Sequence, residues 1–424
     1  MSDLQDTPAY KLSDVLVETG LSADVVRVWE KRYGLPAPRR SAGGHRLYSR
    51  RDIRTLQWLQ ARVDAGMRIS KAVHRWRELE AAGLDPLTAD SPAGPSPLDP
   101  VRVAWLHACL DFDERRAEAV LDAAFAAHPA EAVCLDVLRA GLHEIGAMWY
   151  RVEASVQQEH FTAELATRRL HRLMAAAPAP SRDGLLLVGT PSGERHAFPA
   201  LLLATLLRGR GCPVRYLGAD LPLEQLQHAL GITRPAAVLY AVQMLGSIPA
   251  LQETAVALHK AGIPLGYGGR VFNRFPGLRA RLPAFFLGER LPDALDGMGA
   301  LVQIHPEFPP STPVAPALQR AAEALRLHAP HITARVTEQA RRYGVGERDI
   351  DTAMAFNHRQ WYAALRLGDL SPMRAEMRWV EGLLRVRGVE AALLETAWQL
   401  WRDAVAEYLG EAAAPILAFL DGAG

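Results

Sequence analysis

The chain of 424 residues has little of what would place it outside the cell or across a membrane. Its three cysteines, Cys109, Cys134 and Cys212, are too few and too scattered for a disulfide framework or a CxxC metal knuckle. No apolar run approaches the roughly eighteen residues of a membrane span. The chain also opens Met-Ser-Asp-Leu-Gln-Asp rather than basic and then apolar, so a cytoplasmic protein without a membrane partner is expected. Net charge is nearly absent: 48 Lys and Arg stand against 47 Asp and Glu, for a formal charge of +1. That excludes a bulk polycation, so any nucleic-acid site must be local. With 49% hydrophobic and 22% charged residues the chain is not a disordered one, and its length suits about three domains.

The average charge conceals a basic island. Between Arg27 and Arg54 nine Lys and Arg residues face two acids, Glu30 and Asp52, a local charge of +7 in a chain of +1. On charge alone this fits either a duplex-binding patch or an Arg-rich solvated surface. The pattern around the charges decides. Residues 10–20 read as a short helix ended by Gly20. Ser22 caps a second helix in which Val25, Val26, Trp29 and Tyr33 share one face. Helix, glycine turn, helix is the helix-turn-helix arrangement, with Arg27, Lys31 and Arg32 projecting from the second helix. Pro36 and Pro38 end that helix. Gly43-Gly44 then permits a hairpin flanked by Arg39, Arg40, His45 and Arg46, a wing able to straddle a phosphate backbone. Helices follow at 51–65 and 69–82.

The motifs Trp29-Glu30-Lys31-Arg32-Tyr33-Gly34, Pro38-Arg39-Arg40 and Gly43-Gly44-His45-Arg46-Leu47-Tyr48-Ser49 resemble the DNA-binding domain of the MerR family. The resemblance implies a double-stranded DNA operator as partner, with the second helix in the major groove and the wing on flanking phosphates. Arg27, Lys31 and Arg32 are then the helix candidates, and Arg39, Arg40, His45, Arg46 and Tyr48 the wing candidates. Tyr48 has a second reading as a core aromatic. Residues 1–82 form this domain and the Pro/Gly/Ser-rich stretch 83–100 a flexible linker.

Residues 101–178 carry Leu, Ala and Val at helical spacing and read as a four-helix bundle, with Trp149-Tyr150 near one helix end and Glu159-His160 beyond. From 183 onward short buried strands alternate with helices, which predicts a Rossmann-like, doubly wound parallel sheet over 179–304. The loop after its first strand lacks the GxGxxG phosphate cradle of a dinucleotide site. It reads Thr190-Pro-Ser-Gly193-Glu194-Arg-His196-Ala-Phe-Pro199 and sets an imidazole and a carboxylate near the sheet crevice. This module resembles a vitamin B12-binding domain. The resemblance makes His196 the lower axial ligand of cobalt, Glu194 its orienting carboxylate, and Gly268-Gly269 the lining of the tunnel for the nucleotide tail. Val242 stands where the family has its Ser-x-Leu segment, and Pro199 replaces the loop's last glycine.

The order of MerR domain, helical bundle and B12 domain resembles the CarH/LitR light-responsive repressors. The resemblance implies adenosylcobalamin as cofactor, with Trp149, Glu159 and His160 beside its upper group. It further implies photolysis of the cobalt–carbon bond and a change of homo-oligomer, dimer or tetramer, that alters DNA binding. The family's histidine after the tryptophan is replaced by Tyr150, which leaves His160, water or no group as the upper ligand after light. After a Pro-rich linker, 305–316, residues 317–424 read as an all-helical domain with its own core. It is an oligomerisation or sensor domain, or a globin-like pocket similar to the biliverdin domain of photocobilins, with His358 and Trp361 among its candidate lining. The class expected is therefore multidomain α+β and α/β, and the function that of a regulator, not an enzyme. A regulator that senses cobalamin or another tetrapyrrole without light is the alternative.

Overall fold

The computed structural model describes residues 10–40, 44, 46–64, 67–81, 86–89, 96–298, 301, 313–343 and 346–422. The chain divides into two compact units, Met1–Ser96 and Pro97–Gly424.

In the first unit, helix Leu12–Thr19 stops at Gly20, whose left-handed φ of 71° lets its N–H reach the Leu16 carbonyl. Ser22 caps helix Ala23–Tyr33 by accepting a hydrogen bond from the Val25 N–H at 3.3 Å, and Gly34 ends it at φ 70°. Val26 and Trp29 turn inward. Strands β1 (Arg39–Arg40) and β2 (Arg46–Leu47) pair antiparallel as the wing. Helices Arg50–Asp64 and Ile69–Ala81 close the core, with Trp58 and Trp76 edge to face at 5.1 Å. The stretch expected to be plain linker is not uniform. It contains a short helix, Pro86–Ala89, whose Leu87 is buried in this core. One apolar side chain within a Pro/Gly/Ser-rich run is enough to dock it.

The second unit opens with helices Asp99–Leu110 and Glu114–Ala127. Ala130–Val133 then runs through a π-helical Cys134–Arg139 into Ala140–Tyr150, and Val156–Ala176 completes the bundle. Ser155 and Gln158 form a capping box that starts the last of these. The sheet follows: β3 (Leu186–Pro191), β4 (Val214–Leu221), β5 (Ala237–Ala241), β6 (Leu265–Gly268) and β7 (Phe285–Phe286). All pairings are parallel, in the order β4-β3-β5-β6-β7. The connections that leave β3 and β5 run to opposite sides, to β4 and to β6, which puts the ligand-accepting switch point between the ends of β3 and β5.

Alternation along the strands divides the interior in two. Leu186, Val188 and Leu239 face a core shared with helix Phe198–Gly209 and the bundle, including Leu201, Leu165 and Trp105. Leu187, Val238 and Tyr240 face a second core with Ile248 and Leu251. The C-terminal helices Pro316–Ala340, Glu347–Leu367, Ser371–Val386, Ala391–Leu409 and Ala414–Leu420 enter that same second core through Leu325, Ile332, Trp361 and Trp401. Their expected separate core is thus continuous with the sheet's. Helix Pro316–Ala340 runs on through Pro330. Pro330 and Arg326 are both exposed, so the carbonyl that proline leaves without its helical partner faces water.

Candidate functional sites

The loop between β3 and helix Phe198–Gly209 is held by its own hydrogen bonds and by the end of β4. Thr190 Oγ1 donates to the Glu194 carbonyl at 2.6 Å and accepts from the Asp220 N–H at 2.9 Å, while Asp220 Oδ1 accepts from the Gly193 N–H at 2.7 Å. Spacing gave no sign of Asp220, which reaches this loop from the end of the neighbouring strand β4. The loop drives the Glu194 side chain fully inside. Burial alone would raise its pKa, but the hydrogen bond and charge of His196 and the N–H groups of Gln243 and His196 hold it below the usual carboxylate value. Oε1 meets His196 Nδ1 at 2.6 Å, and Oε2 accepts from the Gln243 and Met244 N–H groups at 2.7 and 3.0 Å. One carboxylate therefore spans the switch point from the β3 loop to the β5 loop. The His196 side chain is 57% exposed, and with Nδ1 engaged its Nε2 is the ring nitrogen left for an outside partner.

Gly269 has φ 131°, and a Cβ there would lie 1.9 Å from the Val242 carbonyl oxygen, so only glycine fits. Gly268 instead faces open space, with nothing within 4 Å of a built Cβ. Val242 is fully buried and meets this loop through its backbone, its N–H donating to Gly268 O at 2.9 Å. These residues fit a corrinoid better than a bare ion. Among the described residues no group of three or more His, Cys, Asp or Glu side chains could hold a metal. A single oriented imidazole nitrogen is what a cobalt already held by four ring nitrogens requires.

In the bundle, Trp149 and Tyr150 end helix Ala140–Tyr150, and Glu159 lies in the first turn of the next helix. Trp149, Tyr150 and Glu159 are half-buried. His160 is exposed, its Nε2 3.6 Å from the Glu159 carboxylate. Tyr150 is turned toward the C-terminal helices, Oη donating to the Trp379 carbonyl at 3.4 Å. Arg387, which sequence did not single out, lies with its guanidinium 4.4 Å from the Trp149 ring centroid.

On the first unit, Arg27, Lys31, Arg32 and Arg39 are exposed. Arg40 lies in β1, and His45 falls outside the described residues. Two wing candidates have partners inside the fold. Tyr48 is 0% exposed in the core and bridges to Tyr10, the place of the core aromatic. Arg46 is half-buried and directs Nε to both oxygens of Glu30 at 2.9 Å, tying wing to second helix. In the C-terminal helices His358 and Trp361 face inward. His358 Nε2 accepts from Trp401 Nε1 at 3.2 Å, and Trp361 stacks on Trp401 at 5.4 Å.

A winged helix-turn-helix joined to a helical bundle and a parallel sheet with one oriented imidazole defines a DNA-binding, B12-binding regulator. The MerR HTH family regulatory protein model matches residues 10–78, and the B12 binding domain model matches residues 101–174, the bundle. The HTH-type transcriptional repressor CarH of Myxococcus xanthus is 30% identical over 298 residues, which is 68% of this chain and 98% of the relative. CarA, an HTH-type transcriptional repressor of the same organism, is 30% identical over 52% of this chain and 72% of its own length. The solved monomethylamine corrinoid protein of Methanosarcina barkeri aligns with 49% of this chain and 98% of its own, at 18% identity and a TM-score of 0.35. The chain belongs to the CarH family of MerR-type, B12-binding transcriptional regulators, and that family is one of regulators, not enzymes. Among the described residues no helix is long and apolar enough to cross a membrane.

Proposed function

We propose that this protein is a light-responsive transcription regulator that binds adenosylcobalamin between the bundle and the sheet, with residues 101–178 as cap and 179–304 as the corrinoid domain. The observation that carries the reading is the Glu194–His196 pair at the switch point, with Nε2 of His196 turned to the outside. When bound, the cofactor supplies a cobalt–carbon bond that light cleaves. The protein's part is to hold it. His196 Nε2 would hold the cobalt, Glu194 would keep His196 oriented for it by engaging Nδ1, and Gly268 would leave room for the nucleotide tail. Trp149, Glu159 and His160 would border the upper group. Movement of the cap on loss of that group would change a homodimer or tetramer and, with it, the grip of Arg27, Lys31, Arg32 and Arg39 on an operator duplex.

The test is a visible spectrum of the full chain with adenosylcobalamin, in darkness and after green light, alongside operator binding. Wild type should show a His-on corrinoid that changes with light, and His196→Ala should lose the His-on form. An unchanged spectrum in His196→Ala would remove that ligand assignment, and equal DNA binding in darkness and light would favour light-independent cobalamin sensing. Biliverdin in residues 317–424 is a second reading. Its support is three buried polar atoms on one helix without partners, Asn357 Nδ2, Gln360 Oε1 and Trp361 Nε1. A far-red band on adding biliverdin would establish it, and the absence of one would leave these helices as structure.

A further inference from the structure

Helix Ser371–Val386 touches both walls of the proposed corrinoid cleft. On the sheet side, Glu376 pairs with Arg274 at 2.5 Å, and Arg274 Nη2 donates to the Ala375 carbonyl at 3.0 Å. Both partners of this pair are nearly shielded from water, with side chains 12% and 9% exposed. Arg274 ends the short helix Arg270–Arg274 that starts directly after Gly269, so this anchor sits on the loop beside the sheet crevice.

On the cap side there are three contacts. Tyr150 Oη donates to the Trp379 carbonyl at 3.4 Å, and the two rings lie 5.9 Å apart. Gly382 lies directly under that hydroxyl: a Cβ at this position would be 2.3 Å from Tyr150 Oη. Arg387 places its guanidinium over the Trp149 ring and donates through Nη2 to the Trp149 carbonyl at 3.4 Å. A second connection reaches the lower side. Trp379 leans on Phe356 at 6.4 Å, and the helix carrying Phe356 lies against the turn Leu245–Ser247, where a Cβ on Gly246 would be 3.2 Å from Arg359. The same turn continues from Gln243 and Met244, whose N–H groups hold Glu194.

We propose that Ser371–Arg387 is a latch across the cleft, in which Arg387 and Gly382 are positioning residues for Trp149 and Tyr150. The proposal rests on the reading of the bundle as the cap over the corrinoid. Tyr150 is then a docking residue for the latch and not a group kept for cobalt. The cap cannot leave the sheet without breaking the Tyr150 and Arg387 contacts, so cap position and latch order bias each other reciprocally.

The test is amide hydrogen exchange on the full chain without cobalamin, comparing wild type with Arg387→Ala, Gly382→Ala, Tyr150→Phe and the double variant Gly382→Ala/Tyr150→Phe. Arg387→Ala and Gly382→Ala should each speed exchange about tenfold in both Ala140–Tyr150 and Ser371–Val386, with helix Leu12–Thr19 unchanged. Removing the hydroxyl relieves the clash, so the double variant should exchange more slowly than Gly382→Ala alone. Faster exchange confined to Ser371–Val386, or no change in either element, would overturn the latch. A second arm measures adenosylcobalamin and cyanocobalamin binding by absorption. Loss of preference between them in Arg387→Ala is expected. If wild type bound neither, the corrinoid reading would fail, while the exchange data would still decide the latch.

Discussion

At the scale of single residues, burial decides which titratable groups serve as switches and which serve as structure. His358 is the clearest example. It is 8% exposed, its Nε2 accepts the Trp401 indole N–H, and burial lowers its pKa to about 4. An imidazole that must accept at Nε2 cannot be protonated there, so the folded state holds the neutral ring while the unfolded chain binds a proton near pH 6.5. The folded pKa is the lower of the two. This contribution is therefore complete above about pH 6.5 and is lost progressively toward pH 4, by about 3 kcal/mol at most. The melting temperature of the second unit should rise across that window, and His358→Phe should flatten the rise. Parallel pH profiles for the two proteins would show that His358 is not the group responsible.

Among elements, the wing shows how a sequence pattern can name the segment and leave a partner within the fold unread. The glycine turn, Ser22 and the flanking arginines were legible because caps and hairpins depend on neighbours in sequence. The Arg46–Glu30 pair was not, since it joins residues of two elements across a fold that must first exist. The same limit hid Asp220 and Arg387, and made Tyr48 ambiguous until its burial was known. Arg46 and Glu30 are partly exposed, which limits the pair to roughly 0.5–1 kcal/mol. Arg46→Ala and Glu30→Ala should each weaken operator binding by about threefold, and the double variant by no more than either, because all three release the same tie. Were Arg46 instead a phosphate contact, Glu30→Ala would free it and tighten binding. Lys31→Ala and Arg32→Ala should behave differently, each lowering the slope of log affinity against log salt by about one.

Over the whole molecule, the compact units are two, Met1–Ser96 and Pro97–Gly424, fewer than the changes of periodicity. Pro-rich stretches and changes of periodicity divide the chain into a DNA-binding domain, a bundle, a sheet and a final set of helices. Periodicity marks where elements change type, but it does not register which faces they bury against each other. The sheet buries both faces, Leu186 and Val188 on the bundle and Leu187, Val238 and Tyr240 on the core that Leu325, Ile332, Trp361 and Trp401 complete. Removing the C-terminal helices would expose that second core, and freeing the bundle would expose the first. Calorimetry of the full chain should accordingly show two transitions, one for Met1–Ser96 and one for Pro97–Gly424. A chain ending at residue 304 should lose the sheet's transition or shift it sharply downward and bind a hydrophobic dye, because the side chains that covered Ile248 and Leu251 are gone. A third transition, present in the full chain and absent without residues 317–424, would show that those helices fold on their own. The strands and the C-terminal helices would then be neighbours and not one body, and any signal between them would have to pass through side-chain contacts such as Arg274–Glu376.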